Sequence, residues 1–204
     1  MVMVKPMNNY QKIYENIINE VKSKKEKPSL LLHSCCGPCS SSVIEQLSPY
    51  FKITIIYYNP NIEPIIEYEK RKQTQLELLK KLDGVGFIDC DYDNAAFREL
   101  ITPAYAISKE GGSRCTMCFE LRLNKTAEVA KTNKFTYFGT TLSISPHKNH
   151  ELINELGHKI AIQNDLKFLT ANFKKSNGYL RSIELAKEYN LYRQDYCGCL
   201  FSRN

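Results

Sequence analysis

Short apolar runs recur along the chain, each closed by a polar or cysteine-rich turn and followed by apolar positions at helical spacing. Leu30-Leu31-Leu32 is the first run, reading as a buried strand, and Val43 to Leu47 reads as the helix after it. Lys52 to Tyr58 is β-branched and aromatic, the composition of a second strand. Asn59-Pro60-Asn61-Ile62-Glu63-Pro64 breaks it, and Pro64 suits the first turn of a helix. That helix is expected to run to about Leu82, with Ile65, Tyr68, Leu76 and Leu79 on one side. Asp83-Gly84 ends it, and Val85 to Ile88 forms a third strand. A helix around Ala95 to Ser108, bent at Pro103, leads through Gly111-Gly112 to another that begins at Cys115. The latter carries Phe119, Leu123, Ala127 and Ala130 as its inner stripe. Phe135 to Phe138 is a fourth strand, Glu151 to Asp165 a polar helix, Leu166 to Thr170 a fifth strand, and Leu180 to Tyr189 a last helix.

Strands alternating with helices, too far apart for hairpins, predict an α/β fold whose parallel sheet carries helices on its faces. Residues 1–21, with Tyr10, Tyr14, Ile17 and Val21 at helical spacing, add an N-terminal helix. Lys22 to Pro28 follows it as a solvated, charged connector. The chain is expected to be one domain, with the N-terminal helix and connector over 1–27 and a core with a Cys-rich C-terminal segment over 28–204.

A net charge of +6 fits a nucleic-acid partner without requiring one. No apolar run approaches the roughly 20 residues of a membrane span, and no leader is apparent, so a cytoplasmic protein is expected. In such a reducing compartment eight cysteines argue for metal or redox work rather than disulfides.

Seven of those cysteines fall into three groups: Cys35-Cys36-x-x-Cys39, Cys115-x-x-Cys118 and Cys197-x-Cys199. The first turn enters a helix N-terminus, where unpaired N–H groups favour thiolate, the form that binds metal. Two pairs suffice for zinc or an iron–sulfur cluster, so seven thiols imply a second metal or a catalytic thiol. A zinc ribbon leaves the vicinal Cys35-Cys36 pair and the Cys197/Cys199 spacing unexplained, and a thioredoxin-like exchanger leaves the other groups idle. Nothing resembles a phosphate loop: Gly111-Gly112 is too short, and the Cys-rich turn lacks a Ser-Gly-Gly run. The Cys35–Cys39 turn, the acidic turn Asp89–Asp93 and the loop Thr140–Pro146 all begin where strands end, the edge at which parallel sheets place their sites.

Around these groups, His33 either donates a proton or is satisfied by backbone, and His147, His150 and His158 read as loop or surface residues. Asp89, Asp91 and Asp93 offer a metal ligand or general acid, with helix capping the alternative for Asp93. Cys90 reads as a small buried residue. Arg114, Arg181, Arg193, Lys148, Lys174 and Lys175 are candidate phosphate contacts, and Tyr58, Tyr179, Tyr192 and Tyr196 candidate stacking surfaces for bases.

Five motifs occur in order: Leu32-His33-Ser34-Cys35-Cys36-Gly37-Pro38-Cys39; Tyr58-Asn59-Pro60-Asn61-Ile62; Arg114-Cys115-Thr116-Met117-Cys118-Phe119 with Arg122-Leu123; Thr140 to Lys148; and Tyr192-Arg193-Gln194-Asp195-Tyr196-Cys197-Gly198-Cys199. Over about Leu30 to Ser202 the chain thus resembles the QueH-type epoxyqueuosine reductases. The resemblance implies a Rossmann-like (HUP-like) fold, with helical extensions at both ends. It also implies reduction of the epoxide of epoxyqueuosine in tRNA anticodon loops to give queuosine, without cobalamin. A [4Fe-4S] cluster and a nearby mononuclear metal, expected to be iron, would come with it, as would an electron donor of ferredoxin or flavodoxin type. Under this resemblance Cys36, Cys115, Cys118 and one of Cys197 and Cys199 are the favoured cluster ligands. Cys35, Cys39 and the remaining thiol are then available to metal. His33, Asp93 and Asp195 are the candidate catalytic side chains. Tyr58, Asn59, Arg114, Ser145, His147, Lys148, Lys174, Lys175 and Arg193 are the candidate substrate contacts. The competing readings are a zinc module that binds tRNA and an iron–sulfur tRNA sulfurtransferase, the latter needing a nucleotide to activate the base.

Overall fold

Five parallel strands form one sheet in the computed structural model, which describes residues 10–101 and 103–203. They are β1 (Ser29–His33), β2 (Lys52–Tyr57), β3 (Gly86–Asp89), β4 (Tyr137–Thr140) and β5 (Lys167–Phe168), in the order β3-β2-β1-β4-β5. Their register aligns Leu30 with Ile53 and Tyr137, and His33 with Ile56 and Thr140. Successive side chains of a strand face opposite sides, so an unbroken apolar run supplies two cores at once. Leu30, Leu32, Ile53 and Ile55 pack on one side with Val43, Ile44 and Leu47 of α2 (Gly37–Leu47) and Ala186 of α8 (Gly178–Glu188). Ile18 and Val21 of α1 (Tyr10–Lys22) close that layer. On the other side Leu31, Ile56 and Phe138 meet Phe119, Leu123 and Ala127 of α6 (Ser113–Thr132), with Ile153 and Ile160 of α7 (His150–Asn164). The expected α/β fold with helices on both faces is the one observed.

The strand order reverses between β1 and β4, and at such a point the two crossovers leave a crevice beyond the strand ends. His33 and Thr140 are the last residues of those strands and face each other there.

Boundaries differ from the sequence reading where local chemistry intervenes. The fourth strand starts at Tyr137 because Asn133, left-handed Lys134 and Phe135 finish α6, with Phe135 N–H donating to the Ala130 carbonyl. The fifth is shorter than expected, although Leu169 N–H still donates to the Phe138 carbonyl at 2.8 Å. The helix expected over Ala95 to Ser108 is two, α4 (Asn94–Leu100) and α5 (Pro103–Ala106), since Ile101 (φ −88°, ψ 82°) leaves helical geometry ahead of Pro103. The part of the N-terminal helix expected over 1–9 lies outside the described residues.

The third helix, α3 (Ile65–Leu79), needs a larger correction. Ile65, expected to face inward, is exposed; the buried positions are Tyr68, Arg71, Thr74, Gln75 and Leu78. The helix presents a polar face to the interior, and buried polar groups persist only when they are hydrogen-bonded.

Candidate metal centre

The first thiol turn grows directly out of β1. Ser34 N–H continues the ladder to the Ile56 carbonyl at 3.1 Å, and Cys36, with extended backbone (φ −173°), is the N-cap of α2. Gly37 is required where α2 meets α3, because a Cβ there would lie 2.8 Å from the Thr74 carbonyl oxygen. Gln75 explains the polar face of α3, its Oε1 accepting from the hydroxyls of Ser34 (2.7 Å) and Ser40 (2.9 Å). This geometry brings the sulfurs of Cys35, Cys36 and Cys39 within 4.8 Å of one another, with Cys35 and Cys36 buried. Hydrogen bonds from Cys36 and then Cys39 hold the Cys35 thiol well below its ordinary range, against burial and with help from Lys148 and Arg122. The same sharing, with burial, pushes Cys36 up to about 12 and Cys39 well above the usual thiol value. Three converging soft donors suit a thiophilic metal.

Cys115, Cys118, Cys197 and Cys199 form the second set. Cys115 and Cys118 lie in the first turns of α6, and Cys118 and Cys199 pack together with Phe97. Burial pushes Cys118 up to about 12, and the charges of Cys197, Cys199 and Cys115 add to it. Cys115 is raised by burial and by Cys197 and Cys199, while the Gly111 N–H donating to its sulfur at 3.2 Å works the other way. A cationic metal group would relieve the repulsion that these thiols feel when deprotonated; among the described residues it is the Cys35, Cys36 and Cys39 sulfurs that already lie within ligand distance of one another.

The two cysteines of the tail reach the site because α3 holds them there. Arg71, buried and paired with Glu67 (2.6 Å), donates to the carbonyls of Cys197 (3.1 Å) and Tyr196 (3.2 Å). Glu63 N–H donates to the Gly198 carbonyl at 2.9 Å. Gly198 has φ +135°, and a Cβ there would crowd Ile62, Asn61 and Arg71, so neither backbone nor space admits another residue. Gln194 then reaches across, its Nε2 donating to Cys36 Sγ at 3.0 Å.

His33 is completely buried with both ring nitrogens engaged. Nε2 lies 3.1 Å from the Tyr58 carbonyl and must donate, so Nδ1 accepts from the Thr140 hydroxyl at 3.0 Å. Burial, followed by the charge of Arg122, pulls its pKa down to about 4. This neutral ring ties three strand ends together, the backbone-satisfied alternative rather than a free proton donor. Asp93 is exposed and caps α4, accepting from Ala96 N–H at 3.2 Å. Asp195 lines a separate cleft of about 510 Å³ with Glu67, Tyr192 and Arg203, and no cysteine lines it.

Among the candidate substrate contacts, Tyr58 and Asn59 are buried, Asn59 donating to the Ser34 carbonyl at 2.9 Å. Arg114 is buried rather than presented to a ligand, and its Nη1 clamps the carbonyls of Ala106 (2.8 Å) and Ser108 (2.5 Å) before Cys115. Lys148 turns inward: burial opposes its charge, but Cys197, Cys35 and Cys39 raise its pKa. Lys174 is half-buried and donates to the Lys148 carbonyl at 2.9 Å, whereas His147, Lys175 and Arg193 are exposed and Ser145 is half-buried beside His147. Arg181 is occupied by Glu45, and Cys90 is half-buried outside both thiol sets. Sequence reasoning missed Arg71, Gln75, Arg122 and Gln194. Arg122 carried a signal in its spacing, one helical turn beyond Cys118.

A parallel sheet with helices on both faces, and a cysteine trio able to bind a metal just beyond the end of β1, define the chain as an α/β protein with a candidate thiolate metal site. The family model for the epoxyqueuosine reductase QueH matches residues 30–204. Similar proteins include the epoxyqueuosine reductases QueH of Staphylococcus epidermidis (40% identical, covering 95% of this chain and 84% of the relative) and Haemophilus influenzae (40%, covering 89% and 76%). That of Thermotoga maritima is 34% identical, covering 85% of this chain and 90% of the relative. The chain belongs to the epoxyqueuosine reductase QueH family.

Proposed function

We propose that this protein reduces epoxyqueuosine in tRNA to queuosine. What supports the reading, in a chain of this family, is the convergence of the Cys35, Cys36 and Cys39 sulfurs just beyond His33 at the end of β1, with Cys115, Cys118, Cys197 and Cys199 near enough to influence one another. The reaction breaks both C–O bonds of the epoxide, takes up two electrons and two protons, and yields an alkene and water. No protein side chain on its own supplies two low-potential electrons.

In this reading Cys115, Cys118, Cys197 and Cys199 hold a [4Fe-4S] cluster, and Cys35, Cys36 and Cys39 hold a single iron. This division departs from the grouping of Cys36 with the cluster, because Cys36 shares its turn and its proton with Cys35 and Cys39. Bound there, the two groups would supply single electrons and a Lewis acid for the departing oxygen. The chain's own residues hold and shield them. Gln75, Ser34 and Ser40 fix the first turn, and Arg71 and Gly198 fix the tail. Lys148, whose ammonium faces Cys197, Cys35 and Cys39, is the cation we assign to the leaving oxygen. The exposed His147, Lys175 and Arg193 are assigned to the RNA, giving a salt-dependent affinity. A small iron–sulfur or flavin protein is the class of donor such a centre needs.

Protein purified without oxygen should be brown, contain more than four irons per chain by this assignment, and form queuosine in epoxyqueuosine-containing tRNA when given a reductant. Colourless protein that takes up only zinc after reconstitution would overturn the reading in favour of a zinc module. Modified product that depends on ATP would instead indicate sulfur transfer.

A further inference from the structure

The mechanism leaves one buried charge unused. Arg122 lies on α6 one turn beyond Cys118 and is 1% exposed. Its Nε donates to the Cys118 carbonyl at 3.2 Å, which fixes the guanidinium against its own helix. The face of Phe119 lies 5.7 Å away. Nη2 is buried and has no hydrogen-bond partner among the described residues. A guanidinium carries five N–H donors in a planar fork, and leaving one buried and unpaired costs about 1–3 kcal/mol, more for a charged group.

Thiols of both sets favour the charge of that fork. Burial works against the charge of Arg122, and Cys118, Cys197, Cys35 and Cys115 favour it, in that order. Arg122 is thus near cysteines of both the α2 turn and the α6–tail set. The other cations acting on these thiols are Lys148 on the Cys35 side, Arg114 beside Cys115, and Arg71 behind Cys35 and Cys36. No carboxylate is among the principal influences on Cys35, Cys115 or Cys118. Arg71 spends Nε on Glu67 and its two terminal nitrogens on the carbonyls of Tyr196 and Cys197. Arg114 also has a buried Nε without a partner, but its fork is held by the carbonyls of Ala106 and Ser108, and it lies beside Cys115. Arg122 has an unpartnered terminal nitrogen and is influenced by cysteines of both sets.

We infer that Arg122 is the internal counter-ion between the two thiol sets, its free Nη2 donating a hydrogen bond to a sulfur of the metal group that the cysteines hold. It is a positioning residue and touches no substrate in this assignment. Hydrogen bonds to sulfur and the local net charge set the potential of an iron–sulfur centre. A permanent cation at this place favours the reduced, more negative state, and arginine keeps its charge at every relevant pH. The inference rests on the reading of these cysteines as metal ligands.

The test uses the full chain, reconstituted with iron and sulfide without oxygen, as wild type, Arg122→Lys and Arg122→Gln. Midpoint potentials are measured by dithionite titration followed by electron paramagnetic resonance, and melting of the metal-free chains is followed by circular dichroism. Arg122→Gln should disfavour reduction at least about tenfold, which for one electron is about 59 mV more negative. Arg122→Lys, which keeps the charge but not the fork, should fall between. Equal potentials in wild type and Arg122→Gln would overturn the inference. So would a metal-free Arg122→Gln that melts far below wild type, because Arg122 would then serve the core. If Arg122→Gln melts normally yet holds no iron, while Arg122→Lys holds it, the counter-ion stands. If neither variant holds iron despite normal melting, charge is not what Arg122 provides, and the inference falls. Wild-type protein without iron would instead refute the metal reading itself.

Discussion

The Cys35–Cys39 turn and the Cys197–Cys199 segment deliver the same kind of ligand, but they are ordered by different means. The first is an extension of regular structure: the sheet ladder runs on to Ser34, and Cys36 caps a helix. Its neighbours Leu30, Leu31 and Leu32 are fully buried, so displacing it means disturbing the core. The second lies beyond the last α-helix and is held from outside by Arg71, by the Glu63 N–H and by the fit of Gly198. Local stability follows the contacts that must break for a segment to open. One thiol set is therefore built into the fold, while the other is completed by a tail that is expected to open before the sheet does.

Replacing Arg71 by Ala should break this difference open most strongly. It removes both carbonyl contacts of the tail and the charge partner of half-buried Glu67, which keeps the Tyr192 hydroxyl, a loss on the order of 3 kcal/mol. Urea unfolding should register that loss, and hydrogen exchange should show residues 192–199 opening while the amides of β1 and α2 stay protected. Equal loss of protection in both segments would mean that they form one cooperative unit.

The built-in segment has its own weak point in His33. Its ring is neutral in the folded chain to about pH 4, whereas the unfolded chain protonates it near 6.5. Between those values the unfolded state binds more protons, so stability is complete above the upper value and declines as pH falls toward the lower. The full contribution is about 3 kcal/mol, at roughly 1.4 kcal/mol per pKa unit. In the metal-free chain His33→Gln should flatten this part of the pH–stability curve relative to wild type. An unchanged slope would show that another group carries it.

Much of this was legible in the sequence because the signals were local. Leu30-Leu31-Leu32 and Lys52 to Tyr58 announced buried parallel strands, and the Cys35–Cys39 turn stood where the first of them ended. What escaped was the side-chain work that joins distant segments. Arg71, Gln75 and Thr74 make α3 look solvated on its inner face, and Ile65 supplied a false apolar position. Only the tail and the thiol turn, brought together in space, reveal what that polar face is for. The settings of Arg114 and Lys148 escaped for the same reason: a place beside carbonyls or thiols is a tertiary fact.

Asp93 lies outside both segments and calibrates them. As an exposed cap of α4 it should cost about 1 kcal/mol when replaced by Ala. Queuosine formation by Asp93→Ala should stay at the wild-type rate under conditions where the protein is fully folded. A large loss of turnover with little loss of stability would restore Asp93 to the chemistry.

The smallest effect on stability is expected at a side chain that links the two regions. Gln194 leaves the tail, donates to Cys36 Sγ, and approaches Cys39 Sγ at 4.0 Å. Sulfur is a weak acceptor, and Gln194 Oε1 is buried without a partner, so the contact gains little and carries a penalty of its own. Gln194→Leu removes the hydrogen bond and the stranded oxygen together, and stability should change by no more than about 0.5 kcal/mol. The kinetics should be more sensitive. With its cover gone, the iron held by the first turn should be lost to a chelator faster than in wild type, while the cluster absorbance decays at the wild-type rate. Simultaneous loss of both would show that the tail guards the two sets as one. No change in either would leave Gln194 as packing alone.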